Sequence, residues 1–486
     1  MKISITAQAA AGIKADVLVC AVGPRWRNEL QAIDRAVGGR LLNELARQGF
    51  QGTSGESATF QTHGAIAAAH VVAAGTGDGA GSAPWYGVAQ AVVSRAAEFK
   101  AASAVVALPP EQNAAAAVEL LGEGLGLSDY RFTRFKSREP KQVRLATVKL
   151  AVSGAGSALR TALERGCAIA RATCLARDLV NLPAANATPS HLAQEARAIG
   201  RSQKLTVKIL DEAALKRLGM GGILGVAQGS AQPPRFLELV YKPARKATPV
   251  VALVGKGVTF DSGGLSLKPA TGMESMKSDM AGAAALLGVM SVIRDLGPAA
   301  EVRAYIPAAE NMPAGNAIRP GDVLTARNGR TIEVLNTDAE GRLILADAIS
   351  WAVEHKPDVL IDLATLTGAV RAVLGPRYAA ILGTDRGVVA DLIAAGRECG
   401  EHLWELPLID EYRSDIDSRI ADIKNTGSGY AGTIVAALFL REFVGNVPWA
   451  HIDFSSTAIT SKPSPGQPAG STGFGVRTLL RWLRNT

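Results

Sequence analysis

Residues 250–264 read Val-Val-Ala-Leu-Val-Gly-Lys-Gly-Val-Thr-Phe-Asp-Ser-Gly-Gly. The first five are a continuous apolar run rich in β-branched side chains, and Gly255 ends it. A short run of that kind, closed by glycine, reads as a strand covered on both faces. Comparable runs follow at 302–306, 331–335, 359–363 and 450–454, with helix-like stretches between them at 281–296, 342–355, 388–396 and 433–444. Strands alternating with helices predict an α/β domain, here a mixed sheet flanked by helices. Ligands of such sheets collect beyond the carboxyl ends of the strands, which is where Lys256 and Asp261 stand.

Towards the N-terminus, short apolar runs at 16–21, 69–74 and 104–108 alternate with helix-like stretches such as 85–100, which predicts a smaller α/β domain with a largely parallel sheet. Residues 155–179 read as one long helix, with Cys167 and Cys174 on one face, ended by Asn181, Leu182 and Pro183. That helix is expected to join a domain of residues 1–160 to one of residues 161–486, where further helices are expected at 191–200 and 211–218. Gly75, Gly77, Gly79 and Gly81 follow a strand, but their spacing is not GxGxxG, so a tight turn is the reading rather than a phosphate cradle.

Composition narrows the function class. With 48% hydrophobic and 20% charged residues among 486, the chain is too apolar for disorder, and 51 Gly with 23 Pro serve turns rather than a collagenous repeat. The longest apolar run, 280–293, stops at Arg294 and Asp295, well short of the ~20 residues a spanning helix needs, so no membrane span is expected. Residues 1–12 carry no apolar core or cleavage site, which points to the cytoplasm. Cys20, Cys167, Cys174 and Cys399 form no CxxC pair and fit a reducing compartment as idle or buried thiols. The net charge of +8 raises nucleic acid as a partner. Its local source is Arg131, Arg134, Lys136, Arg138, Lys141, Arg144 and Lys149, opposed only by Glu139, and such a run is more often a solvated face. The six histidines are scattered, which excludes HExxH zinc chemistry.

The chemistry concentrates in two places. Lys256, Asp261, Lys268 and Asp279 follow the 250–254 strand, and Asn336-Thr-Asp-Ala-Glu-Gly-Arg342 follows the 331–335 strand. Asp338 and Glu340 are two apart, so in an extended segment both carboxylates point the same way. Four carboxylates at neighbouring strand ends repel one another unless cations lie among them. Two divalent ions about 3.5–4 Å apart absorb that charge and activate water. Oxygen ligands suit Mg or Mn, and zinc also accepts carboxylate. Acids that merely cap helix N-termini, at ~0.3–1 kcal/mol each, account for one such residue but not for four with two lysines and an arginine.

The stretch NTDAEGRL at 336–343 resembles the leucyl (cytosol) aminopeptidases, a family of two-metal exopeptidases. The resemblance continues in GKGVTFDSGGLSLKP at 255–269, ARDLVNLP at 176–183, GVAQGSAQPP at 225–234, DLATLTGA at 362–369 and AALFLREFV at 436–444. It covers nearly everything from about residue 165 onward. Before that it rests on 130–136 and the α/β pattern, as for the family's more variable macro-like N-terminal domain.

The resemblance implies that Lys256, Asp261, Asp279, Asp338 and Glu340 bind two divalent metals, with Asp261 and Glu340 bridging them. Lys256 can ligate only as a free amine, so metal must lower its pKa well below the ordinary lysine value. Lys268 would stabilise the developing oxyanion, and Arg342 would hold a bicarbonate that takes the proton from the attacking water. Met276, Thr365, Gly368, Ser455 and Ala458 would line the side-chain pocket. Binding of a free α-amine makes such an enzyme an exopeptidase, here for leucine and other apolar N-terminal residues of short peptides. Similar enzymes are homohexamers with their sites on an internal cavity.

Two positions depart from the family pattern. Ala281 and Gly282 stand where a Gly-Gly pair is usual, and Ser455 and Ser456 replace Ala-Gly, which is expected to bring a hydroxyl into an apolar wall. A nucleic-acid-binding or scaffold protein using the same fold and its basic surface is the alternative. A protein freed from catalysis has no chemical need for Lys268 and Arg342, both of which are intact.

Overall fold

The computed structural model describes residues 1–486 apart from 80, 110–113, 139–143, 153, 155 and 245–248. The chain forms two units, Met1–Arg171 with Glu398–Gly400 and Lys462–Pro468, and Ala172–Arg397 with Glu401–Ser461 and Ala469–Thr486.

In the first unit, β1 (Lys2–Thr6), β2 (Val17–Val22), β3 (Ser57–Gln61), β4 (His70–Gly75), β5 (Ser103–Ala107) and β6 (Thr147–Ala151) form a sheet in the order β1-β6-β5-β2-β4-β3. Only β3 runs antiparallel to its neighbour. Every residue of β2 is buried. Val17, Val19 and Ala21 belong to a core shared with α1 (Ala83–Glu98) and α2 (Ala114–Ser128), whereas Leu18, Cys20 and Val22 belong to a second core. This alternation is the period-two signature of a strand covered on both faces. The turn expected after β4 is present, with Gly77 and Gly79 at φ +55° and +72°.

None of the four cysteines is in a disulfide, and burial pushes the Cys20 thiol up to about 12, which makes it inert. Of the basic run, Arg134, Lys136, Arg138, Arg144 and Lys149 are exposed and Arg131 is half-buried, while Lys141 and the opposing Glu139 lie outside the described residues. The long helix α3 runs Ser157–Asn181; Ala155, where it was expected to begin, is also outside the described residues. No helix among the described residues is long and apolar enough to cross a membrane.

The second unit contains β7 (Thr206–Leu210), β8 (Arg235–Tyr241), β9 (Val250–Gly255), β10 (Gly257–Asp261), β11 (Glu301–Asn311), β12 (Val323–Thr325), β13 (Thr331–Glu333), β14 (Val359–Ala364), β15 (Ala379–Gly383), β16 (Leu403–Glu405), β17 (Ile423–Lys424) and β18 (Trp449–Asp453). The main sheet runs β16-β15-β18-β14-β9-β11-β8-β7, with β10 also paired to β11. Its centre, β18-β14-β9-β11, is parallel, and antiparallel partners flank it on both sides. Leu363 pairs with Gly255 and Ala364 with Asp453, so β9, β14 and β18 end level with one another. An irregularity between Val258 and Asp261 re-aims β10 and sets Asp261 opposite Asn311.

Three expectations change here. The 331–335 run is not a strand of the main sheet. Only Thr331–Glu333 is extended, in a small sheet with β12 and β17; Ile332 and Val334 are buried, but Leu335 is 42% exposed, so the run has one covered face and not two. The 281–296 helix ends at Met290 as α4 (Ala281–Met290), and Ile293–Leu296 forms a separate turn of helix. Every residue of α4 is buried, as its unbroken apolar sequence requires. Third, the glycine needed at the start of α4 is Gly282 and not its neighbour. A Cβ at Gly282 would lie 2.3 Å from Leu363 O and 2.8 Å from Lys256 N, whereas the Ala281 methyl is accommodated.

Candidate active site

Beyond the end of β9, the Lys256 N–H donates to Leu363 O (3.0 Å) and its carbonyl accepts the Ala283 N–H (2.8 Å). The residue is thereby fastened between β14 and α4, and its side chain is buried. Its Nζ lies 2.6 Å from Asp279 Oδ2 and 2.9 Å from Glu340 Oε1, and donates to Asp279 Oδ1 (2.8 Å) and Thr365 O (2.9 Å). The ammonium reaches this point because α5 (Gly341–Glu354) begins with a glycine. A Cβ at Gly341 would stand 2.4 Å from Lys256 Cε.

Asp261, at the end of β10, accepts the Gly263 N–H (2.9 Å) and Asn311 Nδ2 (2.8 Å) on Oδ1, and its Oδ2 is 2.9 Å from Lys268 Nζ. Lys268 Nζ is also 2.5 Å from Asp338 Oδ1. One oxygen from each of Asp261, Asp338 and Glu340 falls within 4.8 Å of the other two. Asp338 and Glu340 do not converge through an extended segment. Thr337 and Asp338 form a turn, closed by the Asp338 N–H donating to Asn336 Oδ1 (2.8 Å), and the turn brings both carboxylates to one side.

Four carboxylates face two ammonium groups, so two negative charges are uncompensated. Burial, with Asp261 beside it, pushes Glu340 up to about 8 against the pull of Lys256. Burial also raises Asp279 to about 6, opposed by Lys256, and raises Asp338. For Lys256, burial pulls the pKa down, but Asp279, Glu340 and Asp261 outweigh it and hold the value above that of ordinary lysine. A depressed Lys256 pKa therefore does not describe the chain without metal. Glu340 Oε2 is buried and accepts no hydrogen bond among the described residues, and Asp279 Oδ2 and Asp338 Oδ1 have an ammonium beside them but no donor in alignment. Buried carboxylate oxygens left in this state are costly, and a divalent cation of the Mg, Mn or Zn class satisfies them. The donor set fits such ions.

These groups open on a cleft of about 520 Å³ whose walls include Lys256, Asp261, Lys268, Met276, Asp279, Asp338, Glu340, Thr365, Gly368, Ser455 and Ala458. Arg342 is the one expected site residue that is absent from the walls. It is buried behind them, with Nη1 donating to Asn425 O (2.9 Å) and the guanidinium 5.9 Å from the Phe439 ring centre. Burial brings its pKa down to about 10, with Glu340 and Asp453 resisting, so it stays cationic at neutral pH. Ser455 is part of the cleft wall, and its hydroxyl is already engaged there. It donates to Asp453 Oδ1 (2.7 Å) and accepts the Thr367 N–H (3.1 Å), while the Ser456 hydroxyl donates to Tyr378 O (2.7 Å).

Sequence reasoning missed Asn311 and Asn425. Asn311 Nδ2 ties Asp261 to Thr337 O (3.0 Å). Asn425, fully buried, accepts the N–H groups of Leu335 (2.9 Å) and Asn336 (3.3 Å) on Oδ1 and donates to Asn336 O (2.7 Å), while its own carbonyl holds Arg342. It brackets the loop carrying Asp338 and Glu340 from about 90 residues away, and no local motif marks it. Asn425→Ala is expected to cost about 1–3 kcal/mol in stability through the backbone groups it strands. It should also lower turnover about 10–100-fold, the scale of losing a group that orients metal ligands. Asn425→Asp, which keeps the acceptor, should fall between. Wild-type turnover in the alanine variant would show that the bracket does not matter.

A model of the cytosol aminopeptidase family catalytic domain matches residues 174–480, and one of that family's N-terminal domain matches residues 17–139. The chain is 43% identical to the probable cytosol aminopeptidase of Syntrophotalea carbinolica over 99% of each chain. It is 42% identical to that of Gloeobacter violaceus over 95% of this chain and 94% of the other. Among solved structures, the bottromycin maturation enzyme BotP in complex with Mn superposes with a TM-score of 0.86 at 37% identity, covering 97% and 99% of the two chains. A mutant of tomato leucine aminopeptidase superposes with a TM-score of 0.91 at 32% identity, covering 100% and 97%. The arrangement of acids and lysines beyond β9 thus sits in a chain whose full length follows one family of peptidases: it belongs to the cytosol aminopeptidase family and is a metallo-aminopeptidase.

Proposed function

We propose that the cleft releases N-terminal amino acids, leucine and other apolar residues among them, from short peptides with the help of two divalent metal ions. The observation that carries this is the convergence of Asp261, Asp279, Asp338 and Glu340 with two negative charges in excess and a buried Glu340 oxygen that no described residue satisfies. Lys256, Asp261, Asp279 and Glu340 would hold one ion, and Asp261, Asp338 and Glu340 the other. Two such ions supply positive charge for a substrate's free α-amine and make a bound water acidic enough to attack. Manganese, as in the BotP complex, and zinc both suit the donors.

The chain's own groups do the rest. Lys256 enters the ligand set only after giving up the proton that three carboxylates now hold, so metal loading at that position releases a proton and strengthens as pH rises. Lys268 directs its ammonium at the cleft and donates to the carbonyl oxygen as it gains charge. Arg342, still cationic, would offer its Nε, which has no other partner among the described residues, to a bicarbonate that accepts the proton of the attacking water. Met276, Leu366, Gly368, Ala458 and Ile459 form the apolar part of the wall, and Ser455 adds little polarity because its hydroxyl is engaged with Asp453.

Residues 161–486 would carry the reaction, with residues 1–160 as an accessory domain joined through α3. Assembly as a cytoplasmic homohexamer with its sites on an internal cavity would confine substrates to short, unfolded peptides. The test is a leucyl anilide against its N-acetyl derivative. Acetylation should abolish measurable turnover, and acetylated substrate cleaved within tenfold of the free amine would overturn the reading.

A further inference from the structure

Three cations line the cleft, Lys256, Lys268 and Arg371. The two lysines are neutralised, each lying against two of the four carboxylates. Arg371 is exposed, and its guanidinium has no ion pair or hydrogen bond among the described residues. It stands on the short helix α6 (Ala369–Leu374), three residues after Gly368, so the two share one side of the turn. A Cβ at Gly368 would meet nothing within 4 Å, so the space along that side is open. Ile459 and the exposed Ser461 also line the cleft.

A leucine side chain in this cleft leaves the guanidinium without a partner, whereas a carboxylate matches its planar fork of donors. We propose that Arg371 makes the enzyme select substrates carrying a carboxylate in addition to the free amine, an inference that rests on the aminopeptidase reading of the cleft. Two parts of a peptide supply that group, the side chain of an N-terminal aspartate or glutamate and the C-terminus of a dipeptide. An exposed cation also gives the preference a signature, since salt screens it more than it screens buried pairs.

The experiment measures two ratios of kcat/KM in the full-length, metal-loaded enzyme. Glutamyl over glutaminyl anilide isolates the side-chain carboxylate, because the two differ only in that charge. Leucyl-glycine over leucyl-glycinamide isolates the C-terminal one. In the wild type at least one ratio should exceed unity and fall with added salt. Arg371→Met should lower that ratio about fivefold, the scale of an exposed ion pair, and Arg371→Glu should bring it below unity. Ratios that Arg371→Met leaves unchanged in both arms, with leucyl anilide still cleaved by the wild type, would overturn this proposal alone. A wild type that cleaves none of the substrates would overturn it together with the aminopeptidase reading.

Discussion

Glu340→Gln is expected to leave the fold intact and to lower turnover by more than about 100-fold, since even groups that only orient metal ligands are worth 10–100-fold. The side chain keeps its shape, but the charge disappears from the position shared by both proposed metal sites, and an amide nitrogen replaces one of the oxygens. Loss of structure is not the cause. Burial and the neighbouring Asp261 hold the Glu340 pKa at about 8 in the metal-free chain, well above an unfolded carboxylate. A group whose pKa is raised on folding favours the fold while protonated, below the unfolded value near 4.5, and that contribution is lost as pH rises through about 8. Glutamine is a permanent mimic of the protonated form. The thermal midpoint of the metal-free variant at pH 8 should therefore match or exceed that of the wild type, while metal content and kcat fall. Wild-type kcat in this variant would remove Glu340 from the site.

Lys268→Ala is expected to lower kcat on the order of 10²–10³-fold, the typical loss of one preorganised donor to a developing oxyanion. Its present partners, Asp261 Oδ2 at 2.9 Å and Asp338 Oδ1 at 2.5 Å, are both proposed metal ligands. Removing the ammonium leaves those carboxylates more negative, so metal content should hold or rise while catalysis fails. Elemental analysis beside steady-state kinetics separates the two roles, and loss of both ions in this variant would make Lys268 a structural residue instead.

The extent to which the site could be read from sequence follows from where each residue's partners lie. The 250–254 run was legible as a strand because burial on both faces leaves an unbroken apolar signal. The 331–335 run misled because three β-branched residues and a leucine carry the same local propensity in a small half-exposed sheet as in a core, and propensity does not record burial. The four carboxylates and two lysines were legible because they cluster within two short segments whose acid density has no cheaper explanation.

Their convergence geometry was not legible, since the turn at Thr337 and Asp338 depends on the Asn336 side chain and on Asn425 far away. Arg342 kept its place in the motif, yet lies behind the cleft wall on the Asn425 carbonyl. The engagement of the Ser455 hydroxyl was not legible because one of its partners, the Thr367 N–H, lies 88 residues away in sequence. Arg371 stands out because its guanidinium has no partner among the described residues, which a sequence does not display.

Two metal ions, held by these carboxylates and Lys256, are the proposed requirement for cleavage. The most direct measurement strips the protein exhaustively with a chelator, then titrates Mn or Zn back while following bound metal and leucyl-anilide turnover together. The stripped enzyme is expected to be inactive, with turnover returning as occupancy rises to two ions per chain. Full turnover in protein holding less than one ion per chain would contradict that requirement.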